Sequence, residues 1–298
     1  MRSPFIQGDF ELLQESHQVR PFDLGKHAAS FRQVPNYLID VLSETLQIAA
    51  ADVVWIWFAD YPAAPLVVMA KVFRKPVVVN VGGFEVSGIP EIGYGNQLST
   101  IRGAVSRWII RNIDVTIVPS EVYARKVVEV EPLVQRVETI PNWIDIATCD
   151  ELLPDKADIV VTAVCSKFAY QYKGIPIFKA VEKAIPYKTR IIENLPRPMY
   201  ELILKRSKVY CQLSRDETFG ISLVEAMAYG CVPVVSDEGA LPWIVGDAGI
   251  VVPYGDVSET IAAIKKAMTM EGQPARDRAR YFSRERKLKA VEGVMGSI

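Results

Sequence analysis

The stretch VYCQLSRDETFGISLVEAMAYGCVPVV, residues 209–235, decides how the chain is read. Val209 to Leu213 form an apolar run with the composition of a buried strand. A polar loop follows, a helix opens near Gly220, and Val232 to Val235 form a second buried strand. Glu217 lies in the loop and Glu225 inside the helix, eight positions apart. Between them, Phe219-Gly220 lets the backbone turn tightly where the helix begins. A helix start carries amide N–H groups without intrahelical partners and favours anions. Set at the carboxyl end of a strand, it falls where open α/β sheets bind ligands. The stretch reads as half of a pocket for a phosphorylated ligand.

The same alternation extends in both directions. Upstream, Asp52 to Phe58, Pro76 to Val81, Asp114 to Pro119 and Val137 to Ile140 read as strands. Helices are predicted over Asn36 to Ala50, Pro65 to Phe73, Ser99 to Asn112 and Glu121 to Glu129, with Ser120 as an N-cap. The start is unusual: Ser3 to Ile6 reads as the end of a clipped strand, Gly8 as a turn leading into a helix that carries Phe10, Leu12 and Leu13, and His17 to Phe22 as a short strand. Asp150 to Lys156, polar and proline-containing, is the candidate linker. The pattern then restarts with strands at Ile159 to Cys165 and Thr189 to Glu193 and helices at Gly174 to Ala184 and Pro198 to Arg206. After the opening stretch come a strand at Ile250 to Pro253 and helices at Val257 to Met270 and Glu285 to Val294. Two successive β/α runs predict an α/β fold of two doubly wound parallel sheets, with the space between them as binding site.

Composition narrows the class. The chain has 298 residues, half of them hydrophobic, enough for two domains. Its formal net charge of −1 gives no basis for nucleic-acid binding. The cysteines Cys149, Cys165, Cys211 and Cys231 form no CxxC pair or Cys/His cluster, which fits a reducing, cytoplasmic setting. No apolar run reaches the roughly 18 residues of a membrane span.

The central stretch, continued as SRDETFGISLVEAMAYGCVPVVSDEGALP, resembles the signature of retaining GT-B glycosyltransferases of group 1 (family 4). That signature has two glutamates separated by seven residues, then small residues, a Gly and a short apolar strand. Upstream, SKFAYQYKG resembles the basic pair of that family, with Lys167 and Lys173 in its places and spacing about one residue longer than usual. Pro141-Asn142-Trp143-Ile144-Asp145 is similar to the family segment that leads into the interdomain linker.

The resemblance implies a GT-B fold, two facing Rossmann-like domains with a cleft between them. Residues 1–152 would form the acceptor side, 153–280 the nucleotide-sugar domain, and 281–298 a helix returning to the first domain. It implies transfer of a hexose-type sugar from a UDP- or GDP-linked donor to an acceptor hydroxyl, glycan or lipid-linked, with retention of configuration. Glu217 would contact the sugar, Glu225 the ribose, and Lys167 and Lys173 the diphosphate, with backbone donors at Phe219, Gly220 and Ile221. No Asp-x-Asp element stands in a loop, so neither metal nor cofactor is expected. The base would be read through backbone near Asn194 to Pro196.

The first half departs from the pattern. Where the family ends a strand in Val-His-Gly, this chain has Val81-Gly82-Gly83-Phe84-Glu85, which makes Gly82, Gly83 and Glu85 candidates for the acceptor side. Trp243 stands where the family often has Glu. Arg107 and Arg111 share a face of the Ser99 to Asn112 helix. With the tail arginines and lysines from Arg276 to Lys289 they offer either an ordinary basic surface or a peripheral membrane contact. Alternatives from other classes are a catalytically weak subunit that binds nucleotide or a partner transferase, a sugar-nucleotide epimerase, and a glycoside hydrolase using the paired carboxylates.

Overall fold

Runs of β-branched residues set the strands, and their period-two alternation feeds two faces of each sheet. The computed structural model describes residues 4–22, 45–150, 152–165 and 169–298. Two units emerge, Met1–Ile140 with Ala290–Ile298, and Pro141–Lys289.

The first unit contains α1 (Pro4–Gln14), α2 (Thr45–Ala50), β1 (Val54–Trp57), α3 (Ala64–Val72), β2 (Val77–Asn80), α4 (Thr100–Asn112), β3 (Val115–Val118), α5 (Glu121–Val130) and β4 (Val137–Thr139). The strands pair in parallel in the order β1-β2-β3-β4. Its core joins Ile56, Val77 and Val79 of the sheet to Val67 and Ala70 of α3 and Ile109 and Ile110 of α4. The helix expected to carry Phe10, Leu12 and Leu13 is present, but it begins earlier than expected. Pro4 opens a helix rather than ending a strand, because a proline in the first turn removes no needed donor. Gly8 is carried inside that helix, whose Leu12 and Leu13 are buried. Residues 18–22 contain no strand. Residues 36–44 of the expected Asn36 to Ala50 helix lie outside the described residues.

The second unit contains β5 (Ala157–Val164), α6 (Ile175–Glu182), β6 (Lys188–Glu193), α7 (Arg197–Arg206), β7 (Ser207–Gln212), α8 (Ile221–Ala228), β8 (Val232–Ser236), α9 (Leu241–Val245), β9 (Ile250–Val252), α10 (Val257–Ala267), α11 (Gln273–Ala279) and the start of α12 (Arg284–Met295). All its strands run parallel, in the order β6-β5-β7-β8-β9. Alternation divides the core. Val161, Tyr210 and Val235 pack under α8, α9 and α11, whereas Val160, Val209 and Val234 pack under α6 and α10.

Pro141 and the residues after it pack with the second unit, earlier in the chain than the expected boundary at 152. The cause is specific: Ile144 is buried in the second unit's core and its N–H donates to Phe282 O at 3.0 Å. The basic tail is also better used than a solvated surface would be. α11 buries Ala275 and Ala279 against α8, and a Cβ on Gly272 would lie 2.1 Å from Gly230 O. Arg278 donates to Trp243 O at 2.7 Å and Ile244 O at 2.9 Å, with its guanidinium over the Tyr281 and Phe282 rings. On α4, Arg111 makes a two-point pair with buried Glu131, at 3.1 and 2.9 Å, and Arg107 donates to Gln97.

Candidate active site

In the second sheet, strand order reverses between β5 and β7, since β5 is followed outward by β6 on one side and by β7 on the other. The helices that follow those two strands pack on opposite faces of the sheet, and the loops leading to them leave its carboxyl edge where open α/β sheets usually bind ligands. The loop after β5 ends in Lys173. The loop after β7 carries Glu217.

Backbone contacts bring the two together. Lys173 N donates to Ala169 O at 2.9 Å and Ile175 N to Tyr170 O at 3.0 Å, which winds the chain into a turn before α6. Gly174 caps that helix with a left-handed φ of 69°. A Cβ at this glycine would sit 1.8 Å from Leu213 O, so only glycine allows the β5 loop to lie against the end of β7. Arg215 N then donates to Tyr172 O at 2.7 Å. The Lys173 ammonium consequently reaches Glu217 Oε2 in an ion pair whose side chains are 16% and 9% exposed.

The remaining side-chain partners of Glu217 come from the end of β7 and from its own loop. Gln212 Nε2 donates to Oε2 at 2.9 Å and Ser214 Oγ at 3.3 Å. Its main-chain oxygen accepts from Ala240 N at 2.7 Å. Gly239, with φ of 59°, passes so close that a Cβ would come within 2.5 Å of Glu217 O. Burial works against the Lys173 ammonium, but the Glu217 carboxylate beside it prevails and holds the lysine pKa above its ordinary value. Beneath the pair, Tyr210 Oη lies 3.0 Å from Ser222 Oγ and 3.2 Å from Gln212 Oε1. Burial pushes that phenol's pKa far up, so it acts as a neutral hydrogen-bonding group.

Gly220 turns the chain into α8 with φ of 86°. Among the described residues, no hydrogen bond takes the N–H of Gly220 or Ile221, as the geometry of a helix start dictates. The Phe219 ring is buried and meets Phe282 edge-on at 5.2 Å, so this residue can offer a ligand its backbone only. One turn into α8, Glu225 is held from α7: Arg197 Nη1 donates to Oε1, and Tyr200 Oη to Oε2 at 2.7 Å. Burial, then the Glu225 charge, pushes the Tyr200 pKa well up.

Lys167 lies outside the described residues. Gly82, Gly83 and Glu85 belong to the first unit, at the end of β2. Glu85 does not face solvent as a candidate ligand group should. It is 2% exposed, and its Oε1 accepts from Ala59 N at 3.2 Å and Gly82 N at 3.1 Å. Burial raises its pKa. It ties the chain leaving β1 to the chain leaving β2. Gly83 has a left-handed φ of 109°, a turn requirement. Among the described residues no group of three or more His, Cys, Asp or Glu could hold a metal ion, and no helix is long and apolar enough to cross a membrane.

Sequence reasoning missed Gln212, Ser214, Arg197 and Tyr200. The first two were detectable, since residues two apart at a strand end share a face and Glu217 follows directly. Arg197 sends only a local signal, its spacing of four to Glu201.

Comparison with known proteins bears on this geometry. Residues 179–286, from α6 through the start of α12, match the family model described as glycosyl transferases group 1. The matched segment makes up most of the second unit, which is in this sense similar to the group 1 glycosyltransferases. No curated protein sequence matches the chain. Among solved structures, sucrose-phosphate synthase from Thermosynechococcus elongatus superposes with a TM-score of 0.72 at 16% identity, covering 90% of this chain and 78% of that one. HepE from Anabaena, in complex with UDP and glucose, gives 0.71 at 13% identity, covering 97% and 89%. An α,α-trehalose-phosphate synthase (UDP-forming) from Burkholderia xenovorans, in complex with glucose-6-phosphate, gives 0.64 at 11%, covering 90% and 78%. At such identities the likeness establishes the fold, the GT-B arrangement of two parallel α/β sheets. The matched residues include the loop that carries Glu217 and the helix that carries Glu225.

Proposed function

We propose that the protein moves a hexose-type sugar from a nucleotide-sugar to an acceptor hydroxyl, with retention of configuration and without a metal. The observation that carries this reading is the Lys173–Glu217 pair at the β5/β7 reversal, beside the start of α8. A carboxylate beside a cation offers complementary partners to a sugar diphosphate: hydroxyls donate to Glu217, and phosphate oxygens accept from Lys173. Lys167, six positions earlier in the sequence, would join Lys173 on the diphosphate.

The chemistry then needs little beyond electrostatics. The bond between the anomeric carbon and the diphosphate oxygen breaks, and the acceptor oxygen bonds to the same face of that carbon. Its proton passes to the departing diphosphate oxygen. The Lys173 ammonium and the N–H groups of Gly220 and Ile221 stabilise the charge that develops there. Glu225 takes the ribose hydroxyls. UDP is the first nucleotide to try, because two of the similar structures hold UDP with or without glucose. The acceptor is a glycan or a lipid-linked sugar met in the cytoplasm or at the inner face of a membrane.

Thermal-shift measurements with UDP, GDP and their sugars, followed by mass spectrometry of products from a donor panel, test the reading. Stabilisation by one nucleotide and product formation that falls about 100-fold or more in Glu217→Gln are expected. Stabilisation without turnover over a broad acceptor panel would favour a non-catalytic nucleotide-binding subunit. The absence of both would overturn the reading.

A further inference from the structure

Arg197 stands in an unfavourable place for a cation. It is the first residue of α7, where the helix dipole presents positive charge. What holds it there is acidic on both sides. Its Nε donates to Glu201 Oε1 at 2.5 Å, one turn along the same helix, and its Nη1 donates to Glu225 Oε1 on α8. The guanidinium lies 5.4 Å from the Tyr200 ring centre. Arg197 is 54% exposed whereas Glu225 is 15% exposed, so the arginine covers the carboxylate from the solvent side. Tyr200 takes the other oxygen from within, at 2.7 Å.

The two holds on Glu225 differ in kind. Tyr200 is half-buried and fixed in the packing between α7 and α8. Arg197 is a long side chain on the surface with a second anchor, Glu201, that does not depend on Glu225. Releasing Glu225 Oε1 leaves the arginine paired and therefore costs only one arm of the fork.

We propose that Arg197 is a displaceable plug on the nucleotide site: without nucleotide it occupies Glu225 Oε1, and the ribose hydroxyls of a nucleoside diphosphate take its place while it swings back onto Glu201. The proposal rests on the reading of Glu225 as the ribose-binding carboxylate. It assigns to Arg197 a role in setting nucleotide affinity, and to Glu201 the role of its resting partner. The ligand class is a ribonucleoside diphosphate, whose vicinal diol offers the two O–H donors that replace a guanidinium N–H.

Titration calorimetry on the full chain provides the test, with UDP, GDP and their 2′-deoxy counterparts as probes. Wild type, Arg197→Met, Arg197→Lys and Glu225→Ala are compared. Arg197→Met is expected to bind its nucleotide about fivefold more tightly than wild type, the scale of one exposed ion pair, with Arg197→Lys between the two. Equal or weaker binding by Arg197→Met overturns the plug. If the ribo and deoxy forms bind alike and Glu225→Ala changes neither, the ribose assignment falls and the plug with it. If the ribo form is preferred but Arg197→Met shows no gain, only the plug falls. Failure of every variant to bind either nucleotide overturns both.

Discussion

Replacing Lys173 by methionine removes the cation from a pair that is 16% and 9% exposed while keeping most of the side-chain volume. Glu217 would then carry its charge in a largely buried position with only neutral donors, Gln212 Nε2 at 2.9 Å and Ser214 Oγ at 3.3 Å. Breaking a buried pair by removing one partner costs about 3–5 kcal/mol. The two remaining hydrogen bonds bring the expected loss to the lower end, about 3 kcal/mol. Glu217→Gln strands the ammonium instead and should cost about 2 kcal/mol. In the double variant both charges are gone, so its loss should fall short of the sum by about 2 kcal/mol, a coupling typical of residues in contact. Urea unfolding of the four proteins measures each term from the midpoint shifts. The pH dependence has a fixed sign. Because the folded Lys173 pKa lies above its ordinary value, the stabilisation linked to the lysine's own titration is fully present below that ordinary value. It fades only as pH climbs through the raised one, so the lysine's titration adds no pH dependence across neutrality. Single losses that add to within about 0.5 kcal/mol would refute the argument, for that is how distant, independent sites behave.

Glu85→Gln tests the buried acid of the first unit. Its folded pKa is raised by burial, so the folded chain keeps a proton that the unfolded chain releases, and its stability falls as pH rises from the ordinary glutamate value to the raised one. The amide keeps an oxygen for Ala59 and Gly82 and should flatten that fall in thermal melts between about pH 5 and about pH 8; an unchanged slope would count against it. Gly174→Ala, which would place a Cβ 1.8 Å from Leu213 O, should cost about 3 kcal/mol or more, whereas Gly93→Ala, with φ of 61° but open space around it, should cost about 1–2 kcal/mol. Similar losses at both glycines would show that φ, and not the close approach, governs Gly174. Arg278→Met should lose about 2 kcal/mol in denaturant titration through its hydrogen bonds to Trp243 O and Ile244 O; full retention of stability in Arg278→Lys would show that the planar fork does not matter.

What the sequence displayed depended on range. Strands such as Val77–Asn80 and Val232–Ser236 were legible because both faces of a buried parallel strand demand apolar residues, which no neighbour can override. The turn at Gly220 and the carboxylates Glu217 and Glu225 were legible because one local motif carries them. Arg197 was not, since its contact with Glu225 spans 28 positions and no periodicity connects α7 to α8. The helix α11 was hidden by composition. Its arginines advertise a surface, yet Ala275 and Ala279 are what it presents to α8, and small residues give no hydrophobic stripe to read. At the chain start, proline and glycine read as breakers, although Pro4 needs no partner in a first helical turn and the packing of Leu12 and Leu13 outweighs the roughly 1 kcal/mol that Gly8 costs.

The framing of Lys173 has a further consequence. Its place is secured by main-chain groups: Ala169 O, Tyr172 O, Leu213 O and the bare α-carbon of Gly174. Backbone geometry of this kind does not depend on the side chain of an exposed loop residue such as Gln171, so long as loop length and the glycine persist. Inheritance can therefore reshape the rim of the site one side chain at a time while the ammonium stays where it is. Substrate preference is thus separated from charge placement, and a lineage can drift in the first without risking the second.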